Sequence, residues 1–219
     1  MTLNDIAPYT DGNGMTKAYL DSDADNIQVM GEDGKYTIYF LSNGRSGKGG
    51  SVYSAELDGK WLKTAGVACT DTIQPGQAFW YVSQNAATTP HNITVAGQVL
   101  MTAETAAKAC SATYTLIGNP YAVAVPLNGG VVTTGATKAY LDSDADNIQV
   151  MGEDGKYTIY FLSNGRSGKG GSVYSEELDG KWLKTAGVAC TDTIPVGGAF
   201  WYVSQTSSNT VKLVNPLAE

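Results

Sequence analysis

The sequence predicts an all-β protein made of two tandem, near-identical modules of the sandwich or barrel kind. Residues 16–84 reappear as residues 137–205, a shift of 121, with four differences in 69 positions. Short apolar runs alternate with glycine and aspartate turns at roughly the 8–12-residue spacing of such folds. The one helical candidate, residues 102–110, is only nine residues long and is therefore marginal unless it is packed.

Individual strands follow from the local pattern of side chains. Residues 27–30 alternate apolar and polar side chains, and residues 36–41 are β-branched or aromatic on both faces. The pair Asp33 and Gly34 between them predicts a hairpin turn. The same criteria predict further strands at residues 60–64 (after a second Asp-Gly turn), 78–83 and 93–95.

The chain is acidic, and its charge excludes one class of partner. Its 14 basic and 21 acidic residues give a net charge of −7 and a pI near 4.7. Such a field repels phosphates, so a general affinity for nucleic acid is excluded. No apolar run approaches the ~20 residues that span a bilayer, so membrane insertion is not expected. The first residues show no signal peptide, because no basic region precedes an apolar stretch.

The two modules are predicted to span residues 1–99 and 100–219, and the first is shorter at its start. Residues 115–122 lead into module two, which continues through Leu127 and Asn128. Module one begins near the equivalents of those two residues, at Leu3 and Asn4. We therefore expect module one to lack its opening strand.

The C-terminal tail, residues 210–219, offers a substitute for that strand. Residues 212–218 are similar to residues 115–122 with the glycine deleted. Donation of the tail to an incomplete sheet would use Val211, Leu213, Val214, Pro216 and Leu217. An alternative alignment matches residues 210–212 with residues 94–96, which makes the tail the ordinary last strand of module two.

An acidic turn at the start of each repeat is the sharpest chemical signal. Asp21, Asp23 and Asp25 occupy positions one, three and five of a calcium loop, and position twelve falls on Glu32. The second copy supplies Asp142, Asp144, Asp146 and Glu153. Asn26 stands where the loop requires glycine, and a strand follows instead of a helix, so the motif is not an EF-hand. The favoured interpretation is a solvated acidic turn, with a calcium site as the alternative.

No catalytic residue is predicted. The single histidine, His91, lies outside the repeat, and the sequence contains no GxSxG, HExxH or CxxC motif. Residues 44–50 are rich in glycine but lack the spacing of a phosphate-binding loop, so we expect a hairpin tip that trypsin cuts. Paired acids could act on glycosides, but here they stand on a turn where acids are common, so a hydrolase is disfavoured.

Aromatic residues recur in both copies, at Tyr39, Trp61 and residues 79–81 in the first. Alternate residues of a strand face opposite sides of the sheet, so at least one face of residues 79–81 belongs to the core. Exposed rings would instead offer a platform for sugars. The sequence favours core packing and leaves open which ring is exposed.

Three cysteines leave an odd thiol. Cys69 and Cys190 are equivalent positions, whereas Cys110 precedes the strand that module one lacks. Cys110 and Cys190 could form a disulfide, leaving Cys69 unpaired or linked to another chain. Buried free thiols are the alternative.

Several motifs of module two together resemble a known kind of protein. Residues 114–121 read YTLIGNPY and residues 198–202 read GAFWY, with ADNIQV at 145–150 and Trp182 between them. These residues resemble β-rich modules found, often in series, in large secreted or surface proteins of bacteria. There a GNPY-type strand opens the unit and an FWY-type strand nearly closes it. The resemblance covers most of residues 114–205 and implies an extracellular setting and a non-catalytic role.

These observations favour a non-catalytic extracellular or cell-surface protein that works in structure, adhesion or self-assembly. Its expected mechanism is β-strand complementation, and its expected partners are copies of itself. A glycan-binding module, with or without calcium, is the second hypothesis, and a hydrolase is the third. No cofactor other than that calcium is expected.

Overall fold

The predicted all-β class is confirmed. The computed structural model describes residues 2–5, 15–84, 100–110 and 113–218, and most of their regular structure is antiparallel strand. Helical geometry in those ranges is limited to the short turns Leu3–Asp5, Lys48–Gly50, Leu127–Gly130 and Lys169–Gly171. No helix in the described ranges is long and apolar enough to cross a bilayer.

The chain divides into two compact units. Unit 1 comprises Met1–Gln74 and Ala78–Gln98, and unit 2 comprises Pro75–Gln77 and Val99–Glu219. The described strands of unit 1 are β1 (Asn26–Met30), β2 (Tyr36–Ser46), β3 (Val52–Thr64), β4 (Val67–Ala68) and β5 (Phe79–Val82). They form one antiparallel sheet in the order β4-β3-β2-β1-β5.

Unit 2 contains a six-stranded sheet and two smaller ones. Its strands are β6 (Lys108–Ala109), β7 (Tyr114–Gly118), β8 (Val125–Pro126), β9 (Val131–Thr134), β10 (Asn147–Met151), β11 (Tyr157–Ser167), β12 (Val173–Thr185), β13 (Val188–Ala189), β14 (Thr193–Ile194), β15 (Ala199–Val203) and β16 (Thr210–Leu213). The large sheet has the order β13-β12-β11-β10-β15-β7. The small sheets are β14-β8 and β6-β16-β9.

The hairpin that begins each large sheet has the same register in both units. Ile27 lies opposite Tyr39 in unit 1, and Ile148 lies opposite Tyr160 in unit 2. The turn of the first hairpin is the predicted Asp-Gly turn: the Asp33 carboxylate accepts the Lys35 N–H at 3.1 Å, and the next residue is a glycine with φ of 75°. Glycine adopts this left-handed conformation without steric cost.

Each large sheet buries apolar side chains on both faces. The main cluster of unit 1 contains Leu3, Ile27, Val29, Tyr39, Leu41, Trp61 and Cys69, and Phe40 packs with Ala24 and Leu62 in a second cluster. The main cluster of unit 2 is larger, because β7, β9 and β16 add Ile117, Val131, Val211 and Leu213. The predicted two-sided burial of residues 36–41 holds for residues 39–41, whereas Tyr36 and Ile38 are exposed.

Two local predictions were wrong, in both cases because strand pairing overrides local sequence. The second Asp-Gly pair, Asp58 and Gly59, lies inside β3 at a register shift against β2 and does not turn the chain. Residues 102–110 form no helix, since Lys108 and Ala109 pair with β16. A helix of nine residues gains little by itself, whereas extended backbone completes a sheet. The predicted strand at residues 93–95 lies outside the described residues.

Candidate functional site

The outer edge of β5 differs from the same edge in unit 2. Residues 78–83 and 199–204 have the same sequence, AFWYVS. In unit 2, β15 pairs with β10 on one side and with β7 on the other. In unit 1, β5 pairs with β1 and is the last strand of its sheet among the described residues. We call the side of Phe79–Val82 that faces away from β1 the receptor edge.

Burial of the core residues changes with that neighbour. Phe200 and Tyr202 of β15 are 1% and 0% exposed, whereas their counterparts Phe79 and Tyr81 are only partly buried. Both pairs point into the main cluster of their unit, as the alternation of the strand predicted for one of its faces. Unit 1 therefore exposes part of a surface that unit 2 covers.

The GNPY segment shows what covers the edge in unit 2. β7 pairs with all of β15, from Ala199 opposite Gly118 to Val203 opposite Tyr114, and its Ile117 side chain is buried in the main cluster. The strand then ends in a turn held by Asn119, whose amide oxygen accepts the Tyr121 N–H at 2.9 Å. The Asn119 amide also donates to the carbonyl of Pro195 at 3.0 Å.

The structure places the tail inside unit 2. Residues Thr210–Leu213 form β16, the middle strand between β9 and β6, and Val211 and Leu213 are buried. The tail is thus the last strand of unit 2 in chain order, whereas residues 94–96, its counterparts in the alternative alignment, lie outside the described residues. Val214 forms a single bridge to Glu104, and Pro216 and Leu217 are exposed. Donation of Val211 and Leu213 to another sheet would require β16 to leave this one.

The end of the tail shares one detail with the GNPY segment. The Asn215 amide oxygen accepts the Leu217 N–H at 3.0 Å, as Asn119 does for Tyr121. A proline follows each asparagine, and its ring restricts the backbone of the turn that the asparagine side chain closes. The likeness between the two segments therefore extends to their turns.

The acidic turns do not bring their carboxylates together. Asp21, Asp23 and Glu32 are exposed, whereas Asp25 is 0% exposed. The Asp25 carboxylate accepts the Tyr81 hydroxyl at 2.6 Å and the Gln84 N–H at 2.7 Å. It therefore joins the start of β1 to the end of β5.

The second copy has the same arrangement. Asp142, Asp144 and Glu153 are exposed, and Asp146 is 0% exposed. Asp146 accepts hydrogen bonds from the Tyr202 hydroxyl, the Gln205 N–H and the Asn209 amide. Across the described residues, no three acidic, histidine or cysteine side chains converge where they could hold a metal ion.

No family model, curated protein or solved structure matches this chain. The single histidine, His91, lies outside the described residues.

A tyrosine–aspartate pair stands beside the cysteine of each repeat. The Tyr39 hydroxyl donates to Asp71 at 2.6 Å, and the Asp71 N–H donates to the Cys69 sulfur at 3.2 Å. Burial, and next the carboxylate, raise the pKa of Tyr39. The hydrogen bond from Tyr39, with Lys63 nearby, lowers the pKa of Asp71. Tyr160 donates to Asp192 in the same way at 2.7 Å.

All three cysteines are free thiols in this structure. Cys110 and Cys190, the candidate disulfide pair, are not bonded to each other here. Cys110 donates to the Lys108 carbonyl at 3.6 Å, and the Cys190 sulfur accepts from the Asn128 amide at 3.6 Å. Burial raises the pKa of all three thiols, which disfavours the reactive thiolate.

In each unit, an asparagine that precedes the repeat is hydrogen-bonded to the large sheet, and sequence reasoning did not assign it this role. Asn4 accepts the Trp61 N–H at 2.8 Å and donates to the Cys69 carbonyl at 2.8 Å. Asn128 makes the same bonds to Trp182 and Cys190. The shared Leu-Asn pair was the only available signal, and these matching bonds show that its alignment in the two modules is correct.

On the outer face of the large sheet in unit 2, opposite the main cluster, Tyr114 and Tyr157 are exposed and Trp201 is partly buried. Trp61 and Trp182 are core residues, whereas Trp201, Tyr157 and Tyr114 are on the outer face. The Trp201 indole N–H donates to the Tyr157 hydroxyl at 3.3 Å, and the Trp201 and Tyr114 rings meet edge to face at 5.9 Å. The sequence had left open which rings are exposed.

Proposed function

We propose that this protein is a non-catalytic structural component of a cell surface or extracellular layer, assembled by β-strand addition at the receptor edge. The observation that supports this most directly is the partial exposure of Phe79 and Tyr81, whose identical counterparts Phe200 and Tyr202 are buried in unit 2, where β7 pairs with their strand. Proteins rarely leave a flat apolar strand at a sheet edge uncovered, because it invites pairing with other chains. The surface setting is inferred from the resemblance of residues 114–205 to bacterial surface modules.

The strand that fits the receptor edge has the side-chain pattern of β7. It would place an aliphatic residue such as Ile117 over Phe79 and Tyr81 and then end in an Asn-Pro turn. The tail offers a related pattern with its own Asn-Pro turn at Asn215. Because β16 is paired within unit 2, the tail reaches a neighbour only by exchange, in which one chain's strand replaces that of another.

A competition experiment tests the proposal. Light scattering across a concentration series should show masses growing above 23.0 kDa, the mass of one chain. A synthetic peptide of residues 113–122 should bind the protein, measured by fluorescence anisotropy, and reduce the mass towards one chain. The matched control is the same peptide with Ile117→Asp, which should do neither, because a carboxylate in the core position is unpaired.

The outcomes separate the steps of the proposal. A constant mass of one chain at every concentration would contradict self-assembly. A mass that rises with concentration but is unaffected by the peptide would mean that the chains associate through a surface other than the receptor edge. Loss of the larger species on reduction alone would assign the link to Cys69 or another thiol and would also contradict strand addition.

A further inference from the structure

The two repeats differ mainly at one place. Three of the four differences lie in the turn that precedes the AFWYVS strand: Gln74/Pro195, Pro75/Val196 and Gln77/Gly198. The fourth is Ala55/Glu176. We call residues 74–77 the β5 turn and residues 195–198 the β15 turn. Both keep a glycine at their third position, with φ of 78° in the β5 turn and 69° in the β15 turn, so the substitutions surround a turn of the same kind.

The β15 turn holds the end of β7 in unit 2. The Asn119 N–H donates to the Gly198 carbonyl at 2.9 Å, and the Asn119 side-chain amide donates to the Pro195 carbonyl at 3.0 Å. The same amide also donates to the Ile194 carbonyl at 3.2 Å. Asn119 is 8% exposed, so water is poorly placed to replace these bonds if they are lost. The GNPY segment is therefore positioned by the β15 turn as well as by β15 itself.

Proline at position 195 requires glycine at position 198. The Gly198 N–H donates to the Pro195 carbonyl at 3.0 Å and closes the turn. A Cβ atom at Gly198 would lie 2.7 Å from Cγ of Pro195 and 3.0 Å from its carbonyl oxygen. That oxygen also accepts the Asn119 amide. A side chain at position 198 would therefore collide with the proline ring and displace an acceptor of the GNPY segment.

The β5 turn has a side chain where the β15 turn has none. Gln77 carries the Cβ atom that Pro195 excludes, and Gln74, the counterpart of Pro195, has no ring to collide with it. If the β5 turn kept the backbone of the β15 turn, the Gln77 Cβ atom would crowd the Gln74 carbonyl. That carbonyl is the counterpart of the oxygen that accepts Asn119. We therefore expect an Asn-Pro ending to dock less tightly on the β5 turn.

We propose that the turn before each AFWYVS strand determines which donor strand it accepts. The β15 turn selects a strand that ends in Gly-Asn-Pro, and the β5 turn lowers the affinity of the receptor edge for the same ending. For the receptor edge, this inference rests on the proposed function. Specificity is a difference of affinities, so two acceptor strands of identical sequence can take different partners when the turns beside them differ.

A double-mutant cycle tests the proposal. The variant Gln74→Pro/Pro75→Val/Gln77→Gly gives the β5 turn the sequence of the β15 turn. Wild type and variant would each be titrated with a labelled peptide of residues 113–122, and with the same peptide carrying Asn119→Ala, by fluorescence anisotropy. The variant should bind the unmodified peptide roughly tenfold more tightly, because about two hydrogen bonds of ordinary strength are gained. The Asn119→Ala peptide should bind both proteins equally, which assigns the gain to the asparagine.

Ala55→Glu is the matched control, because it is the fourth difference between the repeats and lies at an exposed position of β3. It should leave the affinity for the peptide unchanged. The triple variant keeps Gly76, whose carbonyl accepts the Gly118 N–H at 2.9 Å. If circular dichroism shows that it does not fold, Gln77→Gly alone replaces it and should give a smaller gain that also requires Asn119.

The outcomes separate this inference from the proposed function. Equal affinity of wild type and triple variant for the unmodified peptide would overturn the inference and leave strand addition standing. The same gain for both peptides would also overturn it, because the turn would then act without the asparagine. Binding to the variant alone would support the inference and contradict addition of this strand to the wild-type receptor edge. Binding to neither protein would overturn both.

Discussion

Asp25 and Asp146 are the residues whose surroundings in the fold differ most from the solvated turn that the sequence predicted. Each is the third acid of an exposed turn, yet each carboxylate is fully buried. Each accepts the hydroxyl of a core tyrosine, Tyr81 or Tyr202, and a backbone N–H that follows the same strand. Buried carboxylates persist where such hydrogen bonds replace water, so these two hold strands together.

The tyrosines beside buried acids should make the fold sensitive to alkali. Burial first, and then the hydrogen bond to a carboxylate, raise the pKa of Tyr39, Tyr81, Tyr160 and Tyr202. A folded pKa above the unfolded value of about 10 contributes stability that is complete below about pH 10 and is lost as the pH rises. We therefore expect part of the tyrosinate absorbance to appear only together with loss of the circular dichroism signal.

Tyr81→Phe and Tyr202→Phe are the controls for this titration, because each removes one such hydroxyl and leaves the ring in place. Each should reduce the amplitude of the late absorbance phase. Complete ionisation of all 13 tyrosines before any change in ellipticity would contradict the prediction.

At the scale of single elements, the backbone of β2 at Gly44 lies so close to β3 in the long β2–β3 hairpin that no side chain fits between them. Gly44 has φ of 76°, and a Cβ atom there would lie 2.6 Å from the Ser54 carbonyl oxygen and 2.8 Å from the Tyr53 ring. The bend also positions Arg45, whose guanidinium donates to the Gly50 carbonyl and lies over the Tyr53 ring. The predicted tryptic cut at Arg45 thus falls on a side chain with defined contacts, and it stays a prediction.

Comparing Gly44→Ala with Gly34→Ala separates the cost of backbone strain at positive φ from the cost of a steric clash of the added Cβ atom. Both glycines have positive φ, but a Cβ atom at Gly34 meets nothing within 4 Å. Backbone strain alone should cost Gly34→Ala about 1 kcal/mol, and the collision should raise the cost for Gly44→Ala to about 3 kcal/mol. Denaturant unfolding measures both, and equal losses would contradict the close approach.

At the scale of the whole molecule, two nearly identical sequences occupy different surroundings. Unit 2 has β7 on its large sheet and the cluster residues of β9 and β16, whereas the described sheet of unit 1 ends at β5. Stability depends on the apolar area removed from water, so the units should differ although their repeats barely do.

We expect two thermal transitions, with unit 1 unfolding first. Tyr81→Phe should lower only the first transition and Tyr202→Phe only the second. Loss of a hydrogen bond to a buried carboxylate costs about 1.5–3 kcal/mol, enough to move a transition by several degrees. Scanning calorimetry of both variants tests this. A single transition that both variants shift equally would show that the chain unfolds as one cooperative unit.

The sequence by itself determined the all-β class and most strands of the repeat. Alternation, β-branched residues and the Asp33-Gly34 turn act over a few residues, so β1, β2 and β5 lie where they were predicted. It also determined that Phe79 and Trp80 face opposite sides, since that follows from strand geometry alone. Where a distant partner mattered, as for Gly59 and for residues 102–110, the local signal was misleading.

Only the tertiary structure decided which surfaces are covered. The core-facing Phe and Tyr side chains of the same AFWYVS strand are buried in unit 2 and only partly buried in unit 1, because their burial depends on β7, a strand distant in sequence. The same is true of the Asp25 carboxylate, which meets Tyr81 56 residues away, and of the tail, which pairs with β9. These contacts join positions far apart in the chain, and local sequence patterns carry no information about which distant strand will lie alongside.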